Sequence, residues 1–356
     1  MERVKKIVFV IPDLKGNGAE RFVITLSDEF KRQGHDVHIV CFSKFQELDT
    51  KSQIECLTFS MQLFRWIPRR IRGLVICKLL DAFIKIRIGT PDLILSNLLP
   101  VDRVLSHSKL PNVHLVVHST MSQEHGVALK KYKSGQYKSS LDDIYLRKPC
   151  VCVSKGAMED FTTLFPTQKN VCFIYNPIDV DFTLQKSDAP ALSIPEYLVH
   201  VGKFNTAKRQ DKLVKAYAMS GIQTPLVLVG QGPLLAEVKS LVSELNLGEK
   251  VIFAGFHSNP YPIISNAKAM VVSSDYEGLG LVILEAIVLN TPVVSTDCKS
   301  GPRELLPAQN LVPVGDIEAL AAKIRQADDN PADFTVRFNS AFLPEAAAAA
   351  YLRLVS

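Results

Sequence analysis

The sequence predicts an α/β protein made of two doubly wound, mostly parallel-sheet domains facing one another across a cleft. Three observations carry that expectation. The chain has 356 residues, more than one ordinary hydrophobic core serves. Short β-branched runs alternate with segments of helical period along nearly the whole length, as in strand–helix–strand units. The alternation breaks once, over residues 177–195, in a polar stretch with three prolines, and then restarts; this stretch reads as a linker. The expected organisation is therefore a first domain over 1–180, a second over 181–335, and a tail helix over 336–356 packing back on the first.

The elements follow in order. "KKIVFVIP" is a buried strand by its continuous apolar run, and "DLKGNGAE" is a glycine loop. In "AERFVITLSDEFKRQG", Phe22, Leu26 and Phe30 fall on one helical face and Gly34 supplies the stop. "HDVHIVCF" closes the first unit, and further strands are expected at 92–96, 113–119, 150–154 and 171–176. After the linker come "YLVHVG", a helix near 208–220, "PLVLVGQG", a helix near 233–246, "VIFAGF", a helix near 260–266 and "AMVVSS". "PVVSTD" and "NLVPV" are the last strands. Asp316 is placed to cap the helix after them, and the alanine-rich tail is helical by propensity.

Composition narrows the function. No apolar run reaches the ~18 residues that cross a bilayer, and the basic start lacks a small-residue cleavage site, so a cytoplasmic protein is expected. Seven cysteines without a C-x-x-C pair read as reduced, buried thiols. No histidine spacing proposes a metal. Residues 1–180 carry 26 Lys/Arg against 18 Asp/Glu, and residues 181–356 carry 15 against 18. The first half is thus the one expected to face something anionic. Nucleic acid lacks any accompanying motif.

The chemistry concentrates in "SSDYEGLGLVILEAIVLNTPVVSTD", residues 273–297. A buried strand ends in the loop "DYEGLG" and a helix starts at once. Free amides and the helix dipole make that start an anion site, and Gly278 and Gly280 let a ligand approach the backbone. Glu277 and Glu285 flank it. A carboxylate is a poor neighbour for phosphate but a good acceptor for hydroxyls, so a ligand with both phosphates and diols fits: a nucleotide sugar. An acid favoured by the helix dipole, beside a second one facing solvent, fits the same residues.

Context supplies more. The spacing of Glu277 and Glu285 resembles the E-x7-E motif of glycosyltransferase family 4, retaining enzymes with the GT-B fold of two Rossmann-like domains. "GNGAERF", "VCVSKGAMEDF", "YNPIDVDF", "VGKFNTAKRQDKLVKAY", "LVLVGQGP", "VIFAGF" and "SGPRELL" match in the same order. The resemblance implies a role for each position. Glu285 would accept from the ribose hydroxyls and Glu277 would face the donor sugar. The amides of Gly278, Leu279 and Gly280 would bind sugar, those of Leu281 and Val282 the diphosphate. Lys203 and Lys208 would neutralise that diphosphate, with Lys203 standing where the family usually has arginine, so the bidentate fork is lost. Phe256 would lie where backbone holds the base. Gly16 and Gly18 would approach the phosphates from the first domain, and His118, ending "VHLVVHS", would act beside the reacting sugar. "GNGAER" carries Arg21 where a dinucleotide fingerprint needs its last glycine.

The implied reaction is retaining transfer of a hexose or N-acetylhexosamine from a nucleoside-diphosphate sugar, a uridine one by expectation, to a glycan or lipid-linked acceptor. It would serve cell-surface polysaccharide or lipopolysaccharide synthesis, with neither metal nor cofactor beyond the donor. Arg65, Trp66, Arg69, Arg70 and Arg72, with Lys130, Lys131 and Lys133, mix basic, apolar and aromatic character. Such faces suit an anionic membrane, so peripheral attachment to the cytoplasmic face of the inner membrane is expected. A nucleotide-sugar epimerase of the same fold and a non-catalytic nucleotide-sugar-binding protein stay open as alternatives.

Overall fold

The computed structural model describes residues 3–15, 18–43, 52–56, 67–131 and 136–355. It divides into two compact units: Met1–Pro177 with Ala341–Ser356, and Ile178–Ser340.

The first unit holds seven strands: β1 (Lys6–Ile11), β2 (Asp36–Cys41), β3 (Gln53–Cys56), β4 (Leu93–Asn97), β5 (Val113–Val117), β6 (Cys150–Cys152) and β7 (Val171–Phe173). All pair in parallel in the order β3-β2-β1-β4-β5-β6-β7. Strands β1, β4 and β5 are buried almost throughout, which is why they read as unbroken apolar runs. The helix Gly18–Arg32 presents the predicted face: Phe22, Leu26 and Phe30 are fully buried. The tail helix Pro344–Arg353 lies in this unit, against Gly18–Arg32. Arg32 bridges to Glu345 at 2.8 Å, and the Phe22 and Tyr351 rings stand 6.1 Å apart. Strand β3 and the helix Arg69–Arg87 carry weak periodicity and escape the sequence reading.

The second unit holds β8 (Leu198–Val201), β9 (Leu226–Val229), β10 (Val251–Gly255), β11 (Ala269–Val272), β12 (Val293–Thr296) and β13 (Leu311–Val312). They are again all parallel, in the order β10-β9-β8-β11-β12-β13. Asp316 caps the helix Ile317–Asp329 through the amide of Ala319 at 2.9 Å, as its position predicts. In each sheet the strand order reverses once, at β1/β4 and at β8/β11. Open α/β sheets bind ligands beyond the carboxyl ends of strands at such reversals, and both places carry residues singled out above.

Candidate functional site

In the second unit β8 runs into Gly202 and the loop holding Lys203 and Lys208, and β11 runs into Ser273–Gly280. The two loops are stitched together. The amide of Asp275 donates to the Ala207 carbonyl at 2.8 Å and the Ser273 hydroxyl to the Lys208 carbonyl at 2.8 Å. Lys208 Nζ lies 2.5 Å from Glu277 Oε1, which also accepts from the Ser274 hydroxyl at 2.6 Å. Glu277 is buried and its carbonyl accepts from Ser300 at 2.6 Å. Asn205 holds the approach to Lys208 by accepting from the amides of Ala207 and Lys208, each at 3.1 Å. Asp275 joins Arg209 at 2.8 Å and Lys212 at 2.7 Å, so the loop after β11 is tied to the helix Gln210–Ser220.

The helix Leu281–Val288 starts from Gly280, at φ 86°, with no side chain capping it. Within its first turn the Ile283 amide donates to the Gly280 carbonyl at 2.9 Å, and no side chain takes the Leu281 or Val282 amide as a cap. Glu285 lies buried on this helix, Leu279 and Gly278 are buried in the loop, and Leu281 and Val282 are half-buried. Gly301 supports the loop from behind. A Cβ there would fall 2.3 Å from the Leu279 carbonyl oxygen, and its φ is 74°, so only glycine fits. Gly230 plays the same part under the lysine loop: a Cβ would stand 2.1 Å from the Gly202 carbonyl oxygen.

Beneath Lys208 lies His200. Its Nδ1–H donates to the Val271 carbonyl at 2.8 Å, leaving Nε2 to accept from Gln210 at 3.2 Å. Burial pushes its pKa down to about 4, and the Lys208 ammonium acts the same way, against Val271 and Glu277. The ring is neutral and anchors the loop, since the same Gln210 nitrogen donates to the Lys203 carbonyl at 3.2 Å. Lys203 itself is exposed. Phe256, just past β10, is 45% exposed, which sets its side chain outside the core. Cys298 donates to the Ser274 carbonyl at 3.1 Å, and burial pushes its thiol up to about 12, so it is an inert packing group.

In the first unit His118 stands directly past the end of β5. Its Nε2 lies 2.9 Å from Asn97 Oδ1, at the end of β4, and the Phe22 ring meets it edge-on at 5.1 Å. Burial pushes its pKa down to about 3. Gly18 opens the helix after β1 and is exposed. Arg72 is half-buried, and its guanidinium donates to the Ile67 carbonyl at 2.8 and 3.2 Å. Gly16, Arg65, Trp66 and Lys133 lie outside the described residues, as do the side chains of Arg69, Arg70, Lys130 and Lys131.

Comparison with known proteins gives the family and the fold. The model described as "Glycosyltransferase Family 4" matches residues 16–182, and that of "Glycosyl transferases group 1" matches residues 182–341. The chain belongs to glycosyltransferase family 4. Two solved structures share its GT-B fold over 99% of its length. One is HepE from Anabaena in complex with UDP and glucose (TM-score 0.72, 18% identity, 96% of that chain). The other is TarM from S. aureus in complex with Fondaparinux, alpha-GlcNAc-glycerol and UDP (TM-score 0.75, 14% identity, 100% of that chain). Among sequence relatives, a Campylobacter jejuni 4-alpha-N-acetylgalactosaminyltransferase acting on a diphospho-undecaprenol substrate is 35% identical over 43% of this chain and 42% of its own. A Salmonella typhimurium lipopolysaccharide 1,6-galactosyltransferase is 26% identical over 44% and 45%. The chain thus spans under half the length of these relatives.

Around the predicted residues the structure places five that sequence reasoning missed: Ser274, Ser300, Asn205, Asp275 and Asn97. Ser274 stands three before Glu277 and Asn205 three before Lys208, spacings that suit local side-chain caps. Nothing local marks Asn97. Among the described residues, no group of three or more His, Cys, Asp or Glu side chains could hold a metal ion, and no helix is long and apolar enough to cross a membrane.

Proposed function

We propose that the chain transfers a hexose or N-acetylhexosamine from a uridine diphosphate sugar, with retention, to a glycan or lipid-linked acceptor in bacterial surface-glycan synthesis. The observation that carries this reading is the Lys208–Glu277 pair, 2.5 Å apart, beside an uncapped helix start. An ammonium and open amides suit a diphosphate, and a carboxylate suits sugar hydroxyls. Lys208 would exchange Glu277 for phosphate oxygen, and Glu277 would turn to hydroxyls. Glu285 would hold the ribose. Relatives named for N-acetylgalactosamine and galactose transfer favour a galactose-type donor.

In the reaction, the acceptor oxygen bonds to the anomeric carbon as the bond from that carbon to the diphosphate oxygen breaks. The acceptor proton goes to the departing diphosphate on the same face. Lys203, Lys208 and the helix amides stabilise the charge that develops there, and Glu277 need not form a covalent bond. The residues expected to hold the sugar stand at strand ends in both units. A nucleotide-sugar epimerase would turn over the same donor with no acceptor present.

Attachment to an anionic bilayer is part of the proposal. The helix Arg69–Arg87 exposes Ile71, Leu74, Leu79 and Ile86, interleaved with exposed Lys78 and Lys85. Apolar and basic groups on one helix suit a headgroup surface. The test is a thermal-shift panel of uridine and guanosine diphosphate sugars, followed by product detection with lipid-linked acceptors and vesicle sedimentation. Stabilisation by a uridine diphosphate sugar and acceptor-dependent turnover are expected. No response to any nucleotide sugar overturns the reading, and equal sedimentation with neutral and anionic vesicles overturns the membrane part.

A further inference from the structure

The carboxamide of Asn97 is fully buried at the β1/β4 reversal. Its nitrogen donates to the Val10 carbonyl on β1 at 3.3 Å and to the Leu95 carbonyl at 3.0 Å. Carbonyls only accept, so both amide hydrogens are used on that side and the amide cannot turn over. Oδ1 is thereby aimed at His118 Nε2, 2.9 Å away. An oxygen that only accepts, at that distance, requires a proton on Nε2. Burial keeps the ring neutral near pH 7, and a neutral imidazole carries one proton. Nδ1 is then a bare lone pair. That atom is buried, and none of the described residues donates to it.

The surroundings agree. Phe22, edge-on at 5.1 Å and fully buried, walls the ring. Tyr351 from the tail helix backs Phe22. Directly after Asn97, Leu98 sits at φ 72° and ψ 147°, a conformation that residues with a side chain rarely adopt. Its carbonyl accepts from Val101 at 3.0 Å and Asp102 at 3.1 Å, launching the next helix. The chain holds a strained residue at the point where Asn97 must face His118.

We propose that Asn97 is a positioning residue that locks His118 in the Nε2–H tautomer, so that His118 presents Nδ1 as an acceptor for one hydroxyl of the bound sugar. This rests on the transferase reading for the sugar, but the tautomer does not. A site that offers only an acceptor discriminates against donors lacking that hydroxyl, because the lone pair is then left unpaired in a dry place. His118 would serve as a selective hydrogen-bond partner and would not remove a proton.

Long-range proton–nitrogen NMR of the full chain reads the tautomer directly, with His118→Gln assigning the signal. We expect a protonated Nε2 and an unprotonated Nδ1 from pH 5 to 8. In Asn97→Asp one oxygen replaces the amide nitrogen opposite the Val10 and Leu95 carbonyls, at a cost in stability, while the other keeps its place at Nε2. Once ionised, the carboxylate raises the His118 pKa and protonates Nδ1, turning the acceptor into a donor. We expect its kcat/KM to fall 10- to 100-fold at pH 6 and to recover in part at pH 8, a limb that wild type lacks. Asn97→Ala should give mixed tautomers. A wild-type ring protonated at Nδ1 overturns the proposal whatever the enzyme does. An Asn97→Asp pH profile parallel to wild type overturns the link to sugar binding. A correct tautomer in a chain that binds no nucleotide sugar overturns the transferase reading and leaves the Asn97 lock standing.

Discussion

Lys208 meets a carboxylate at 2.5 Å, whereas the polar partner of His118, at a strand end in the other unit, is among the described residues a carboxamide at 2.9 Å. The loops of the second unit are tied by Lys208, Arg209 and Lys212, each facing Glu277 or Asp275. The strand ends of the first unit are tied by neutral hydrogen bonds among Asn97, Val10, Leu95 and His118. The difference concerns exchange. A partly exposed ammonium can trade one anion for another, and the swap costs little when the buried Glu277 meets hydroxyls at the same time. A buried neutral clamp has no such alternative. On the proposed reading, the second unit grips and releases the charged diphosphate and the first discriminates among neutral sugars.

Glu277→Gln should break the comparison most severely. It keeps the shape but removes the charge that pairs with Lys208 and would accept sugar hydroxyls. Transfer should fall by roughly 10²- to 10³-fold, about 3–4 kcal/mol of transition-state stabilisation. Steady-state kinetics with a uridine diphosphate sugar checks this, and a fall under threefold would remove Glu277 from the site. Lys208→Met should lower kcat by about 10²-fold and raise the donor KM, because it deletes charge at the leaving group and strands Glu277. The paired variant Lys208→Met with Glu277→Gln should cost less than the two single losses multiplied, as groups in direct contact couple.

Gly301→Ala tests the scaffold under the charged loop. Its Cβ would stand 2.3 Å from the Leu279 oxygen, at a φ that disfavours a side chain. Roughly 1–3 kcal/mol of stability should be lost, with donor affinity falling about tenfold as the loop shifts. Calorimetry and a donor titration read the two effects separately.

Much of this was legible in sequence, for physical reasons. Strands buried on both faces read as apolar runs, so β1, β4, β5, β8, β9 and β11 announce themselves. A helix does start after the glycine pair, so Glu277, Gly280 and Glu285 could be placed around one helix start from local chemistry alone. The partners could not. Asn97 meets Val10 only because β4 lies beside β1 across 87 residues, and Asp275 meets Lys212 across 63. Arg72 adds a local case: its guanidinium donates to the carbonyl of Ile67, five residues earlier, a direction that a count of basic residues does not give. Composition sees charge, not where the side chain turns.

Lys203→Arg sharpens the comparison more gently. Lys203 is exposed, and its carbonyl is held by Gln210 at 3.2 Å, so a longer head on the same loop needs no repacking. A guanidinium adds a bidentate fork for phosphate. The donor KM should fall about two- to fivefold with kcat nearly constant. An unchanged KM would mean that the side chain does not reach the diphosphate.

Asp102→Asn should leave the rate alone and change stability with pH. Asp102 is buried beside the neutral clamp, accepting from Ser96 at 2.6 Å and facing the Tyr145 hydroxyl at 3.1 Å. Burial pushes its pKa up to about 8, against the two hydrogen bonds. The folded chain therefore keeps its proton at pH 7, while the unfolded chain loses it near the ordinary value of 3.8. Its contribution is present at pH 4 and is lost as pH climbs toward 8, at up to about 1.4 kcal/mol per unit. His118 and His200 act in the other direction. Their pKa values are pushed down to about 3 and about 4, so their contribution is whole above pH 6.5 and is lost as pH falls below it. These three groups together place maximum stability near pH 6.5, with Asp102 causing the decline above it. An asparagine keeps both hydrogen bonds and cannot ionise, so the variant should match wild type at pH 4 and lose the decline between pH 6.5 and 8. Urea denaturation across pH 4–8 reads this. A parallel decline in both proteins would mean that Asp102 is ionised in the folded state.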